Sequence, residues 1–411
     1  MMETNTILLL IALIVFIGYL AEWGFRKVNI PDTLLLLLVG FILGPNVTNI
    51  VKPESLNGIA PIFTTITLLF LMFDGSLSID LKSFTEGIGA GITIGVTNFI
   101  ISSIIIAGIM HIIVPDFMTA LMLGFALGGV SSAFIIPILK QVQVSKKIYS
   151  ILTLESALTD VLAIVFSITV IELKVINVLD LKNVLSHIAS LFFVAGMIGI
   201  IAGFLWIYLE LSLGLGDQNY LMTIAYVILI FFISEYLGGN GAIAAMAFGI
   251  IIANSKVLYE LKNKIKPDKV SKSDGDTKIK TNVVSHREKK FYKEISFFLK
   301  TFFFVYIGLL LNLRNLEAVT IGAVISIAIL LLRNISFIFT GAYKSSERVL
   351  VNSLFARGIA PAAIALVAIE RGIITDNTVI DVIYFVITAT VILSSIRIIF
   401  YKIRLKNEKT D

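Results

Sequence analysis

The chain has 411 residues, 57% hydrophobic and 15% charged, with a net charge of +5 and a mean hydropathy of +0.96. Soluble domains carry roughly 25% charged residues, and a transmembrane barrel alternates in ~10-residue segments, so the composition points to an all-α polytopic membrane protein. With no cysteine, disulfides, thiolate chemistry and cysteine–metal sites are excluded, and His111, His187 and His286 are too scattered to suggest a metal centre.

Apolar runs of roughly 17–25 residues are the unit to count along the chain. They predict about thirteen spans, near 5–22, 31–50, 58–78, 86–114, 117–140, 149–172, 184–210, 219–237, 240–256, 292–312, 316–343, 348–370 and 377–400. Ile7 to Leu20 follows a segment without Lys or Arg and has no small-residue cleavage site, so it reads as a first span and not as a signal peptide. Lysines and arginines crowd alternate connections: Arg26 and Lys27, Lys82, Lys140, Lys146 and Lys147, the 256–293 stretch, Lys344 and Arg348, and the tail from Lys402. Positive charge marks the cytoplasmic side, which predicts an outside N-terminus and a cytoplasmic C-terminus. The net charge therefore speaks to topology, and no nucleic-acid partner is expected. The plasma membrane bilayer is.

Three parts are predicted: a first membrane half over 1–256, a basic cytoplasmic linker over 257–291, and a second membrane half over 292–411. The linker is rich in Lys, with Pro267, Ser271, Ser273 and Gly275, the composition of a solvated segment. A topogenic role for it is favoured over a regulatory or lipid-binding one.

Two spans carry helix breakers in matching places, seven spans apart. The fifth, GFALGGVSSAFIIPILK, has Gly128-Gly129 and Pro137; the twelfth, FARGIAPAAIALVAIE, has Gly358 and Pro361. Ser131 and Ser132 flank one break and Arg357 the other. Interrupted segments in corresponding positions of two halves point to the binding site of a transporter built from inverted repeats. Unwound backbone at membrane depth is tolerated only beside protein or a cavity, and its carbonyls can bind a cation.

Between the two breaks lies YSILTLESALTDVLAIV, Tyr149 to Val165. At ~100° per residue, Ser156 and Asp160 share a face, and Glu155 and Thr159 share the next. A carboxylate in hydrocarbon costs at least ~2.5 kcal/mol, so it marks an ion path or a structural pair. Asp160, next to a hydroxyl, suits a dehydrated Na⁺ with Ser156 and carbonyls of the broken fifth span as further oxygen ligands. The same carboxyl could hold a proton instead. One group that takes either ion, but not both, suffices for one-for-one exchange without net charge movement.

Glu155 reads as structural and needs a cation; Arg333 in the eleventh span is favoured over Arg357, with Thr159 available for a hydrogen bond to the pair. Asp74, near the cytoplasmic end of the third span, is either a cation-attracting group at a cavity mouth or an interfacial cap. Lys300 is expected to snorkel to the interface. Glu235 and Glu370 lie near span ends and are expected to be solvated.

Several of these stretches resemble the monovalent cation:proton antiporters of the NhaP-like, sodium/proton exchanger group. LESALTDVLAI is similar to the family pattern E-S-x-x-N-D, and ARGIAPAAIAL to R-G-x-x-P-A-A. IPDTLLLLLVGFILGP, MFDGSL and FFFVYIGLLLNL match three further family patterns. The resemblance implies thirteen helices, a six-helix ion-translocating core against a dimerisation domain, a homodimer, and alternating access. It implies Asp160 as the carrier of ion and proton, Ser156 as a ligand, a Glu155–Arg333 pair, Asp74 on the cytoplasmic approach, and no cofactor beyond the transported Na⁺ or K⁺ and H⁺.

Two departures stand out. Thr159 replaces the family's Asn, and Val130-Ser131-Ser132 replaces the usual T-D-P, closer to the S-S-T of the Kef- and NapA-like branch. The first adds no second acid, which keeps exchange electroneutral; the second opens K⁺ as an alternative substrate to Na⁺. A non-coupled channel is the other transport alternative. An intramembrane aspartyl protease is disfavoured, because it needs two apposed deep acids and Asp160 alone is deep.

Overall fold

The computed structural model describes residues 4–28, 32–56, 58–77, 81–142, 144–176, 181–213, 220–256, 284–335 and 345–407. The greater part of the expected linker, 257–283, lies outside them. The described residues are helical, without strands: α1 (Thr4–Val28), α2 (Asp32–Leu43), α3 (Ala60–Ser76), α4 (Leu81–Met110), α5 (Phe117–Gly128), α6 (Ser132–Gln141), α7 (Lys146–Ile176), α8 (Leu181–Leu213), α9 (Tyr220–Tyr236) and α10 (Gly241–Ala253). After the linker come α11 (His286–Leu310), α12 (Leu316–Ile335), α13 (Ser345–Ser353), α14 (Ile359–Glu370) and α15 (Asn377–Asn407). The fifth predicted span is thus two half-helices, α5 and α6, and the twelfth is α13 and α14. Among the described residues, six stretches are long and apolar enough to cross a membrane, including Phe117–Leu139, Ile151–Val175 and Asn377–Ile403.

Local chemistry sets several helix starts. Asp116 caps α5 by accepting from the Thr119 amide at 2.8 Å, and Asn240 caps α10 through the Ile243 amide at 3.1 Å. α11 opens with a reciprocal box: the Glu288 amide donates to Ser285 Oγ at 3.2 Å, and the Ser285 amide donates to Glu288 Oε2 at 2.6 Å. α14 ends on Gly372, whose φ of 68° an L-residue adopts only with strain.

Two compact units divide the chain: Met1–Leu68, Ile88–Val184 and Phe297–Asp411 form the first, and Leu69–Gly87 with Leu185–Ser296 form the second. In the first unit, α2 and α11 meet backbone to backbone. A Cβ on Gly40 would lie 2.0 Å from the Val305 carbonyl oxygen, and one on Gly308 would lie 2.2 Å from that of Leu37, so only glycine fits either position. At one end of this crossing Lys300 Nζ reaches Asp32 Oδ2 at 2.6 Å, and both residues are buried. Lys300 therefore does not snorkel. A buried acid in the first turn of α2 faces it, and pairing removes two uncompensated charges at once. In the second unit, Phe73, Phe248, Tyr292, Trp206 and Tyr226 form an aromatic cluster, with Phe73 stacked on Phe248 at 5.9 Å.

Both units carry large apolar side chains outward, such as Leu8, Leu9 and Phe16 on α1 and Phe193, Ile201 and Phe204 on α8. Apolar faces of that extent suit lipid contact and not water.

Candidate functional site

The site lies within the first unit, where two interrupted helices cross. α5 stops at Gly128, residues 129–131 are extended, and α6 begins at Ser132. α13 stops at Ser353, residues 354–358 are non-helical, and α14 begins at Ile359. The two non-helical stretches pair directly: the Ser131 amide donates to the Ala356 carbonyl at 2.9 Å. A Cβ on Gly358 would lie 2.0 Å from Ser131 Oγ, and one on Gly129 would lie 2.7 Å from the Thr159 carbonyl oxygen. Glycine at these two positions is what allows the breaks to approach each other and α7.

Breaking a helix frees amides and carbonyls that must find partners when buried. Here the partners are specific. Val130 N–H donates to Thr159 Oγ1 on α7 at 3.0 Å. The Arg357 amide donates to Thr390 Oγ1 on α15 at 3.0 Å. The Gly129 carbonyl accepts from the guanidinium of Arg357, a residue only 2% exposed.

Asp160 reaches the start of α6. Its Oδ2 accepts from Ser132 Oγ at 2.6 Å and from the Ser132 amide at 3.0 Å. The carboxylate is 7% exposed and sits at the positive end of a half-helix. Among the described residues no lysine or arginine forms an ion pair with it, in contrast to Glu155 one turn away. Glu155 is fully buried and held by Arg333 through both guanidinium termini, the second at 2.9 Å. Arg333 Nε donates to the Val351 carbonyl at 2.9 Å, and Asn98 Nδ2 donates to Glu155 Oε1 at 3.1 Å. Glu155 is thus bound on several sides by fixed donors, while Asp160 is held through a single serine.

The structure brings Asp160, Ser132, Ser131, Thr159 and Arg357 together around the crossing breaks, and joins Glu155 to Arg333. Thr159 and Arg357 do not hydrogen-bond to the Glu155 pair: each faces the first break, where the backbone needs their oxygen and nitrogen. Ser156 is fully buried, but its hydroxyl donates to the Thr153 carbonyl of its own helix at 3.1 Å and not toward Asp160. Asp74 is half-buried on α3 and belongs to the second unit. Sequence reasoning missed Asn98, the Val351 carbonyl and Thr390. Asn98 was detectable as the one amide in the apolar stretch of α4; Thr390 gave no signal, since threonines are ordinary in spanning helices.

The profile of the family described as "Sodium/hydrogen exchanger, transmembrane" matches residues 11–401. The chain is 22% identical over 357 residues to the probable Na(+)/H(+) antiporter 2 of Methanocaldococcus jannaschii, covering 83% of this chain and 79% of that protein. It is 22% identical over 273 residues to the K(+)/H(+) antiporter NhaP of Alkalimonas amylolytica, covering 63% of this chain but 46% of that longer protein. Its fold superposes on the sodium proton antiporter MjNhaP1 of Methanocaldococcus jannaschii with a TM-score of 0.74, at 19% identity and 96% coverage of both chains.

Proposed function

The chain belongs to the sodium/hydrogen exchanger family of multi-pass membrane transporters, and from that premise we propose that Asp160 carries a monovalent cation and a proton alternately. The observation that supports the reading best is the contrast on α7: Glu155 is neutralised by a fixed arginine, whereas Asp160 is buried at a backbone break with a serine as its only hydrogen-bond partner among the described residues. Such a carboxylate must take a proton or a cation to stay buried. Hard oxygen donors, from Asp160, the Ser131 and Ser132 hydroxyls and carbonyls freed by the breaks, suit Na⁺ or K⁺. In this reading a donor from Ser156 requires its hydroxyl to turn away from Thr153.

The charge balance supports an electroneutral cycle. Glu155 and Arg333 cancel, and a proton or a monovalent cation brings the same single positive charge to Asp160, so either one leaves the site with the same charge. Na⁺ is the first substrate to test. K⁺ is the second reading, favoured by serines where the family carries an acid in the first break, and by the similarity to a relative named for K⁺. The wider reading places the N-terminus outside, the C-terminus in the cytoplasm with Asp74 toward that side, and the basic 257–291 stretch between two membrane halves of a homodimer in the plasma membrane.

The test is proton flux in liposomes holding the purified protein and a pH-sensitive dye, with Na⁺, K⁺ and Li⁺ added in turn. The expected result is a dye response to Na⁺ or K⁺ that clamping the membrane potential leaves unchanged and Asp160→Asn abolishes. Full exchange by a folded Asp160→Asn protein would defeat the assignment, and cation flux without proton movement would indicate a channel.

A further inference from the structure

Both breaks are held by the same device, and only one copy of it lies on the helix that carries Asp160. Thr159 on α7 accepts the amide of Val130, 29 residues earlier in the chain, and Thr390 on α15 accepts the amide of Arg357, 33 residues earlier. Each threonine sits on the unbroken helix that follows its own broken one, and each is fully buried. Each hydroxyl also donates its proton back into its own helix: Thr159 to the Ser156 carbonyl at 3.3 Å, Thr390 to the Val386 carbonyl at 2.8 Å. With the proton so directed, a lone pair is left facing the break, which is the polarity a freed amide requires.

We propose that Thr390 is a positioning residue for transport: by holding the Arg357 amide it fixes the second break against the ion site, a proposal that rests on the exchange reading above. The reach is short. Arg357 donates through its side chain to the Gly129 carbonyl, and its chain neighbour Ala356 accepts from the Ser131 amide at 2.9 Å. The next residue, Ser132, holds Asp160 through both its amide and its hydroxyl. A continuous run of hydrogen bonds and chain neighbours therefore joins Thr390 to the carboxylate. The same face of α15 secures the approach to the break, where Ser394 Oγ donates to the Ser353 carbonyl and Arg397 donates to that of Asn352 at 2.9 Å. Those bonds hold the last turn of α13, and among the described residues the Thr390 bond is the one side-chain hydrogen bond that holds the non-helical stretch from α15.

Thr390→Val keeps the volume and β-branching and removes the acceptor; Thr390→Ser keeps the acceptor. In the liposome assay the valine protein is expected to show an apparent cation KM raised about tenfold, the scale set by one buried amide left unsatisfied, with the rate at saturating cation within about twofold of wild type. The serine protein should stay within about twofold on both. A hydroxyl with only a structural role would lower the yield of folded protein and leave KM alone, which would overturn the proposal. Amide hydrogen exchange over residues 354–358 should quicken in the valine protein and not in the serine one, a readout independent of transport. If the wild type moved no cation, the exchange reading would fail and the amide rates alone would decide the brace. Should Thr390→Val not fold, Thr390→Cys, with a weaker acceptor, is expected to raise KM about threefold and quicken the same amides. Wild-type values in both measurements would overturn the proposal.

Discussion

The two interrupted helices are served unequally by the continuous helices packed on them. Against the α5–α6 break, α7 presents Thr159 and then Asp160; against the α13–α14 break, α15 presents Thr390 and then Val391, which is fully buried. The bracing hydroxyl is duplicated and the carboxylate is not. Holding a broken helix open is therefore separable from binding an ion. The first is a backbone requirement that both halves share, because a freed amide in a dry interior costs about as much on either side. In the exchange reading proposed above, the second falls to Asp160 on α7 alone, and a single buried acid suffices for one-for-one exchange.

That comparison has a second layer, and its largest test lies there. The α7 half holds a buried ion pair, Glu155–Arg333, beside Asp160. The arginine facing α13 from α15, Arg397, is half-buried and satisfied by neutral oxygens, Asn334 Oδ1 at 3.0 Å and the Asn352 carbonyl. Removing one partner of a buried pair strands the other, at a cost of ~3–5 kcal/mol. Arg333→Met is expected to lower the thermal midpoint in detergent sharply, and Arg397→Met much less. The double variant Glu155→Gln/Arg333→Met should recover part of the loss, since neither charge then remains. An Arg333→Met protein as stable as the parent would mean that the pair contributes nothing and that Glu155 is free to act in transport.

The pairing of Glu155 with an arginine was legible in the sequence for a physical reason. Spacing places Glu155 and Asp160 on adjacent faces, and an arginine at membrane depth has few economical explanations besides an acid. The helix breaks were also legible, because Gly and Pro act through the backbone whatever surrounds them. What was not legible depended on which side of a helix meets which neighbour. Thr159 was equally able to serve the Glu155 pair or the break, and only the proximity of Gly129 to its backbone decides for the break. Lys300 carried no sign that Asp32, on a helix 268 positions away in sequence, faced it. Ser156 could turn toward Asp160 or back to Thr153, and periodicity does not settle a hydroxyl rotor.

The glycines sharpen the comparison at the crossing itself. Gly358 has no room for a methyl because Ser131 Oγ and Cβ occupy the space, at 2.0 and 2.5 Å. Gly358→Ala should therefore push the breaks apart, at roughly 1–3 kcal/mol for forced overpacking, and reduce exchange. Ser131 makes no side-chain capping bond at the start of α6, so Ser131→Gly removes the obstacle at little cost. Because Ser131 is also a proposed ion ligand, the rescue is read in stability: the thermal midpoint of the double variant Gly358→Ala/Ser131→Gly is expected to recover toward wild type. No recovery of the midpoint would place the obstruction in the backbone rather than in the serine. Gly129→Ala has no such remedy, because a Cβ there meets the backbone carbonyl of Thr159 at 2.7 Å.

The smallest effect is expected at the far end of α5, where the first break's helix is pinned to α7 by charge. Lys174 Nζ reaches Asp116 Oδ2 at 2.7 Å and Thr119 Oγ1 at 2.6 Å. The Lys174 hydrogen bond, followed by that of Thr119, holds the Asp116 carboxyl down from its ordinary 3.8 to about 2. A carboxyl lowered in the folded state stabilises above its unfolded value and loses that contribution as pH falls through the folded one. The window therefore runs from about pH 4 down to about pH 2. About half of the Asp116 side chain is exposed, and solvent screening keeps the pair below ~1 kcal/mol. Asp116→Asn retains a good helix cap and removes the charge. The thermal midpoint of the variant should lie slightly below wild type at pH 6, converge with it as the pH falls toward 2, and converge also in high salt. A gap that persists unchanged through both titrations would show that Asp116 acts through the cap alone, and that the two ends of α5 are held by the same neutral hydrogen bonding as the second break.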